Sequence, residues 1–357
     1  MFVLMKGYLI LRIRQIIRET PDAATFVLEQ EDGSPVRYRA GQFLTLIFER
    51  HGKEVRRSYS LSSSPGIDAG LRITVKQMEN GEFSRYLLSR LKPGDCLKAL
   101  SPAGRFTFPD SFSGPADVFL LAAGSGIVPV FSILKMLLTS RPDLKITLVY
   151  SNYNEESTIF RKEIDALSRD YSQQFHYIHI LSQPHRVAVN VIHGHLNNLL
   201  LERLVEKHLH FERSEALFFI CGPFTYMRMV QITLRVAGFR DEQLRKENFV
   251  VNEPVPPRFT FPEGPYPKEV FLDVSGEAHR LQLSRGQTVL EAALQAGLNL
   301  PYSCKAGVCA TCTARCSQGE VKMAVNEVLT SADLERGLVL TCVAFPVTQK
   351  VHIEIEI

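Results

Sequence analysis

Four cysteines carry the most specific chemistry in this chain. Cys304, Cys309 and Cys312 lie in LPYSCKAGVCATCTARCSQGEV at 300–321, and Cys342 follows in LTCVAFP. The spacing is C-x4-C-x2-C with a distant fourth cysteine, the pattern that supplies four thiolates to a [2Fe–2S] cluster, two on each iron. Three ligands on one loop can wrap a small cluster, and Gly307 lets the backbone bend close to the sulfides. Structural zinc would favour two short C-x2-C knuckles, and this loop has one. A disulfide framework suits a short secreted chain, not one of 357 residues. A one-electron carrier needs a source or sink of electrons elsewhere in the chain.

Four other stretches could handle phosphate, ring stacking or a close backbone approach. Arg57-Ser58-Tyr59-Ser60 joins an arginine fork suited to phosphate, an aromatic ring suited to stacking and a short hydroxyl. Asn80-Gly81-Glu82-Phe83-Ser84 opens a helical pattern, and free N–H groups at a helix start bind phosphate; Ser84 could equally be an ordinary cap. Gly124-Ser125-Gly126-Ile127-Val128-Pro129 follows an apolar run, and its glycines allow a backbone to approach a dinucleotide. It lacks the last glycine of the full fingerprint. Cys221-Gly222-Pro223 follows the apolar run ALFFI. Taken alone, Cys221 reads equally well as a buried core thiol.

The elements that must position these residues change type along the chain. Up to about Arg105, short strands such as TFVLEQ, QFLTLIFE, VRRSYSLS and LRITVKQ alternate with turns at EDGSP, SSSPG and KPGD, which predicts a small antiparallel barrel. From Asp117, apolar strands alternate with helical segments, which predicts a parallel sheet with ligands at its carboxyl edge. Six prolines between Pro254 and Pro267 predict an extended, semi-rigid linker. Beyond it come a hairpin, a helix over TVLEAALQAG capped by Thr288 and stopped at Gly297, the cysteine loop and a closing strand VHIEIEI. The expected domains are 1–112, 113–251 and 269–357, with 252–268 as linker. The first residues, MFVLMKG, lack a basic start and a cleavage site, so they read as the lead into a strand rather than as a signal peptide.

A net charge of +3 argues against general nucleic-acid binding, and no apolar run is long enough to span a bilayer. Cys96, Cys221 and Cys316 are left over from the proposed ligands, an odd set that suggests reduced thiols and a cytoplasmic location. His176, His179, His185, His193 and His195 cluster in sequence without carboxylate or cysteine at metal-ligand spacing, so surface or packing roles are expected.

Together the motifs resemble the ferredoxin–NADP reductase superfamily, with a C-terminal module similar to plant-type ferredoxins; Ala310 stands where many of those carry glycine. The resemblance covers essentially the whole chain. It implies a multidomain fold: an antiparallel β-barrel for flavin, an α/β parallel-sheet NAD(P) domain and an α+β β-grasp ferredoxin domain. The matching residues take the roles of the superfamily. Arg57 would hold flavin phosphate, with Ser58 beside it in the motif, Tyr59 would stack on the isoalloxazine, and Ser60 would hydrogen-bond flavin N5. Gly81 and Ser84 would face the flavin pyrophosphate, with Val75 and Lys76 near the diphosphate or adenine; that arrangement favours FAD over FMN. Gly124, Ser125 and Gly126 would take the nicotinamide dinucleotide. Cys221 would lie by the nicotinamide C4, lining the hydride path without acting as a nucleophile, and Gly222 and Pro223 would make room for that half of the cofactor. Tyr153 replaces an arginine common in NADPH-using relatives, with Glu155 nearby and Arg161 further on. Both NADH and NADPH stay open, with a slight preference for NADPH. Cys304, Cys309, Cys312 and Cys342 would hold the [2Fe–2S] cluster. The implied activity is that of reductases of multicomponent oxygenases, phenylacetyl-CoA epoxidases among them, with a di-iron oxygenase component as electron acceptor. A stand-alone diaphorase or a reductase of a metal-cluster protein, and a flavin-binding redox sensor, are the alternatives.

Overall fold

The structure, a computed structural model, describes residues 8–50, 52–79, 81–185, 191–249 and 259–355. The initial MFVLMKG, Asn80 and the first part of the proline-rich stretch lie outside the described residues. The chain divides into two compact units, Tyr8–Phe249 and Val250–Ile357.

The first unit begins with an antiparallel six-stranded sheet built from β1 (Tyr8–Thr20), β2 (Ala23–Gln30), β3 (Phe43–Arg50), β4 (Lys53–Ser60), β5 (Leu71–Lys76) and β6 (Cys96–Leu100), in the order β4-β3-β6-β1-β2-β5. Alternation places Leu11, Ile13, Phe26, Leu28, Leu44, Leu46 and Ile73 in one core. Helix α1 (Glu82–Arg90) contributes buried Leu87 to it.

A parallel sheet follows. Its elements are β7 (Asp117–Ala123), α2 (Ile127–Ser140), β8 (Lys145–Asn152), α3 (Arg161–Asp170), β9 (Phe175–Leu181), β10 (Val191–His193), α4 (Asn198–His208), β11 (Leu217–Cys221), α5 (Phe224–Val236) and β12 (Leu244–Glu247). The strand order is β10-β9-β8-β7-β11-β12, all parallel. Helices cover both faces, so β7 and β11 are buried along their whole length and read as unbroken apolar runs. The order reverses at β7, which opens a crevice at the carboxyl ends of β7 and β11.

Barrel and sheet are bonded to each other within this unit. Ser64 Oγ donates to Ser132 O at 2.6 Å, Ser132 Oγ donates to Ser63 O at 2.5 Å, and Lys135 pairs with Asp68. Phe106 and Phe108 pack against Phe219 with ring centroids 5.4 and 6.3 Å apart. Burying each such ring stabilises by about 1.5–3 kcal/mol, so the apolar part of this joint outweighs any single polar contact in it.

The second unit contains β13 (Lys268–Val274), β14 (Glu277–Leu283), α6 (Val289–Gln295), β15 (Thr313–Gln318), β16 (Val321–Met323), α7 (Ser331–Glu335), β17 (Leu338–Leu340), β18 (Ala344–Pro346) and β19 (Lys350–Ile355). Its main sheet runs β14-β13-β19-β15-β17, with β13 and β19 parallel. Thr288 and Glu291 form a capping box at the start of α6, each side chain accepting from the other's backbone N–H. Residues 259–267, in the proline-rich stretch, pack on this module. Phe259 and Phe261 each lie 5.2 Å from the Phe345 ring. Fully buried Lys268 donates to Glu263 O at 3.1 Å and Pro346 O at 3.0 Å. An ammonium caged by carbonyls satisfies its donors without a counter-ion.

Candidate functional sites

The ends of three strands meet in the first unit. Ser60 ends β4, Cys221 ends β11, and Glu247 ends β12 opposite Cys221 in the ladder. Ser60 Oγ donates to Glu247 Oε1 at 3.2 Å. The two residues are only 6% and 9% exposed. Burial pushes the Glu247 carboxyl up to about 8, and the Ser60 hydrogen bond offsets only part of that. Burial first, and then the Glu247 carboxylate, raise the Cys221 thiol well above its ordinary range. A thiol so disposed is inert as a nucleophile.

Glu247 was not singled out from sequence. LRKE at 244–247 reads as a charged surface segment, and only pairing with β11 turns its last residue inward. The signal available was position alone, a short segment closing the sheet just before Phe249.

The glycine turn belongs to the same place. Gly124–Gly126 forms a short 3-10 turn that leads into α2, and Pro129 occupies the first turn of that helix. Gly124 has φ +54, which favours glycine. A Cβ on Gly126 would stand 2.2 Å from Cys221 O and 2.7 Å from Gly222 N. The two motifs therefore touch through backbone, and Gly126 admits no side chain. Gly222 packs under Ala123 and Tyr226, whose atoms would lie 3.0 Å from its Cβ, while Pro223 is the cap of α5. Ser125, half-buried, completes the turn.

On β4, Ser58 Oγ shares a hydrogen bond with Thr45 Oγ1 at 3.0 Å. Burial pushes the half-buried Tyr59 phenol up to about 12. Arg57 is exposed, donates to Arg56 O at 2.8 Å and lies 4.9 Å from the Phe83 ring centroid. Phe83 on α1 thus connects the β4 motif to the Gly81 turn, a link that spacing did not reveal. Ser84 Oγ accepts from Met78 N at 3.1 Å and donates to Gly81 O at 3.0 Å, so it closes the turn from within. Gly81 caps α1, and a Cβ there would meet Ser84 Oγ at 2.5 Å. Val75 points into the barrel core, which leaves its backbone for any ligand. Lys76 Nζ stands 3.5 Å from Asp22 Oδ2.

In the second unit the four thiols converge in one linked group. Cys304 interacts with Cys309 and with Cys342, and Cys312 with Cys342. Thiol hydrogen bonds from these neighbours hold Cys304 and Cys312 down toward thiolate. Ala306 N also donates to Cys304 Sγ at 3.4 Å. Four neighbouring thiols are the number a two-iron cluster would need. The loop achieves this with left-handed backbone at Lys305 (φ 55), Gly307 (φ 74) and Ala310 (φ 57). Gly307 is obligatory, because a Cβ would meet Val325 O at 2.7 Å. Ala310 fits by size, as expected, but it occupies a conformation that favours glycine. Cys316 lies on β15, outside the ligand loop.

The histidines have separate fates. His179 is buried beside Thr158 and depressed to about 4 by burial, whereas His176 stacks on His208 with centroids 4.1 Å apart. Among the described residues no helix is long and apolar enough to cross a membrane.

Comparison with known proteins places these sites in a class. The family described as "Oxidoreductase FAD-binding domain" matches residues 11–108, "Oxidoreductase NAD-binding domain" residues 120–232, and "2Fe-2S iron-sulfur cluster binding domain" residues 272–347. The phthalate dioxygenase reductase structure, 20% identical, shares the fold with a TM-score of 0.58 over 98% of both chains. The protein is an oxidoreductase with FAD-binding, NAD-binding and [2Fe–2S] modules in that order. It is 34% identical over 355 residues to the ferredoxin reductase component of 3-ketosteroid-9-alpha-monooxygenase from Rhodococcus rhodochrous, covering 97% of this chain and 96% of that one. It is 32% identical over 351 residues to a component of the 1,2-phenylacetyl-CoA epoxidase of Escherichia coli (strain K12), covering 97% of each. The chain belongs to this family of oxygenase reductase components, and its role is electron transfer with an oxygenase component as partner in kind.

Proposed function

We propose that the chain takes a hydride from a reduced nicotinamide at the Ser60–Cys221 edge and delivers electrons singly to a di-iron oxygenase component of the phenylacetyl-CoA epoxidase type. The meeting of Ser60, Cys221 and the Gly126 turn at the carboxyl edge of one sheet carries the first half of this reading. Likeness to the epoxidase component along 97% of both chains supports the choice of acceptor. The steroid monooxygenase type is the second reading, favoured by the 34% identity to its reductase component.

Bound flavin supplies the conversion of one hydride into two single-electron transfers, and the bound cluster supplies a one-electron exit near roughly −400 mV. The chain's own residues bind and orient. Arg57, beside the Phe83 ring, would hold flavin phosphate with Ser58 next to it in the motif, Tyr59 would stack on the isoalloxazine, and Ser60 would present its hydroxyl to N5. Gly81 and Ser84 shape the pyrophosphate turn, with Val75 and Lys76 alongside. Gly124, Ser125 and Gly126 would cradle the dinucleotide, Gly222 and Pro223 would clear its nicotinamide half, and Cys221 would line the path near C4. Cys304, Cys309, Cys312 and Cys342 would hold the irons.

For the nicotinamide cofactor the geometry favours NADH, against the slight sequence preference for NADPH. An acidic residue after the second strand suits ribose hydroxyls, whereas a 2′-phosphate needs a cation. Here Glu155 accepts from His185 N at 2.9 Å, Glu156 stands 3.9 Å from His185 Nδ1, and Tyr153 donates to Gln183. Arg161 lies 3.9 Å from Asp165 on its own helix. The expected ratio of kcat/KM, NADH over NADPH, is tenfold or more, about 1.4 kcal/mol; parity or reversal would sink the assignment.

The division of labour is tested with Cys304→Ser. Delivery to an oxygenase component should vanish while NADH-driven reduction of a small dye persists. Loss of both activities in a folded, flavin-loaded variant would contradict the proposal. Turnover with purified epoxidase and steroid oxygenase components separates the two acceptors.

A further inference from the structure

A second concavity lies at the opposite edge of the parallel sheet from the glycine turn. Its volume is about 130 Å³, and Lys145, Thr147, Gln173, His176, His208 and His210 are among its lining residues. Lys145 opens β8, His176 is the second residue of β9, and His208 ends α4, so the amino-terminal edges of two strands and one helix end build it.

His176 and His208 stack with centroids 4.1 Å apart. His208 is only 8% exposed, and its buried Nε2 has no hydrogen-bond partner. A buried imidazole nitrogen without a partner costs stability, which a ligand would recover. Among the described lining residues no carboxylate appears. The nearest, Asp117, is already engaged behind His210, accepting from His210 N at 2.7 Å, Phe211 N at 2.8 Å and the His210 ring at 3.0 Å. Burial, and then the charges of Lys207 and His210, hold the His176 imidazole below its ordinary range; burial, His176 and the same two charges do so for His208. Both imidazoles are thus held toward the neutral form, and the fixed positive charge beside the pair comes from Lys145 in the lining and Lys207 in the last turn of α4. The carbonyl end of α4 favours a cation, and Lys207 in its last turn answers it.

We propose that this cavity is a binding site for a small oxyanion, a phosphate or a carboxylate group, held by the His176–His208 pair and Lys145. Lys145 in the lining, and the lack of any carboxylate among the described lining residues, disfavour a metal ion there and favour an anion, which would give His208 Nε2 an acceptor in the tautomer that carries its proton there. The site is distinct from the nucleotide edge, where the strands end rather than begin.

The test is calorimetric titration of the flavin- and cluster-loaded protein with inorganic phosphate at fixed ionic strength. NAD+ is present to fill the dinucleotide edge, and acetate forms a parallel arm. Saturable one-site binding that weakens about tenfold in both His208→Gln and His176→Gln supports the site. His176 is exposed, so its variant keeps the test decisive if His208→Gln fails to fold. Tighter binding of acetate than of phosphate supports the same site and assigns a carboxylate as its natural occupant. Absence of saturable binding by either anion, or affinity unchanged by His176→Gln, overturns the proposal.

Discussion

Replacing Glu247 with glutamine should flatten the pH dependence of the first unit's stability. The carboxyl is buried, bonded to Ser60 at 3.2 Å, and raised from its ordinary 4.5 to about 8. The folded chain keeps this proton over a range in which the unfolded chain has lost it. The stability contributed is complete below about pH 4.5 and is lost as the pH climbs through about 8. The whole displacement corresponds to roughly 5 kcal/mol, with a slope of up to about 1.4 kcal/mol per pH unit. For a unit of this size 1 kcal/mol moves the melting midpoint by about 2–4 °C. Between about pH 5.5 and about pH 8 the wild type should therefore lose roughly 5–15 °C relative to Glu247→Gln. Release of flavin fluorescence on heating reports the unit that holds the flavin, without interference from the iron–sulfur module. Other titrating groups are common to both proteins and cancel in the difference. Parallel midpoints across the range would mean that Glu247 ionises like a surface carboxylate, and the burial argument at the three strand ends would be wrong.

Two further substitutions test backbone geometry. Gly126→Ala drives a methyl into Cys221 O at 2.2 Å, a backbone atom that cannot turn aside. It should cost about 1–3 kcal/mol and weaken NAD+ binding by tenfold or more, read by midpoint and by titration; wild-type values would refute the contact. Ala310→Gly relieves a left-handed alanine (φ 57) and should stabilise the cluster loop by up to about 1 kcal/mol. Slower bleaching of the iron–sulfur absorbance on heating is the expected result, and faster bleaching would show that chain entropy outweighs the strain.

What the sequence made legible was chemistry held within short stretches. The barrel strands, the glycine turn, the capping box at Thr288 and the four thiols all announce themselves through local spacing, because turns, caps and ladders are fixed by neighbouring residues. The structure brings Cys342 beside Cys304 and Cys312, and its candidacy as a fourth ligand was visible in sequence, since few residue types bind iron. Hidden were pairings made by topology alone. Ser63 and Ser64 look like turn residues, and only the packing of α2 on the barrel turns them into a buried joint with Ser132. Phe83 looks like one apolar position of a helix, and only the placement of β4 sets it under Arg57.

Glu247 shows why such residues escape. In a parallel sheet the register of the last strand is set by its neighbour, not by its own sequence. LRKE has no apolar alternation of its own, yet pairing with LFFIC carries its final carboxyl to the level of Cys221. There it must either be paired or stay protonated, because an isolated buried carboxylate is too costly. The Ser60 hydroxyl is too weak a partner to force ionisation, so a proton is retained at the carboxyl edge, between the strand that ends in Ser60 and the strand that ends in Cys221. A charged tetrapeptide is thus made into a buried acid by strand order alone.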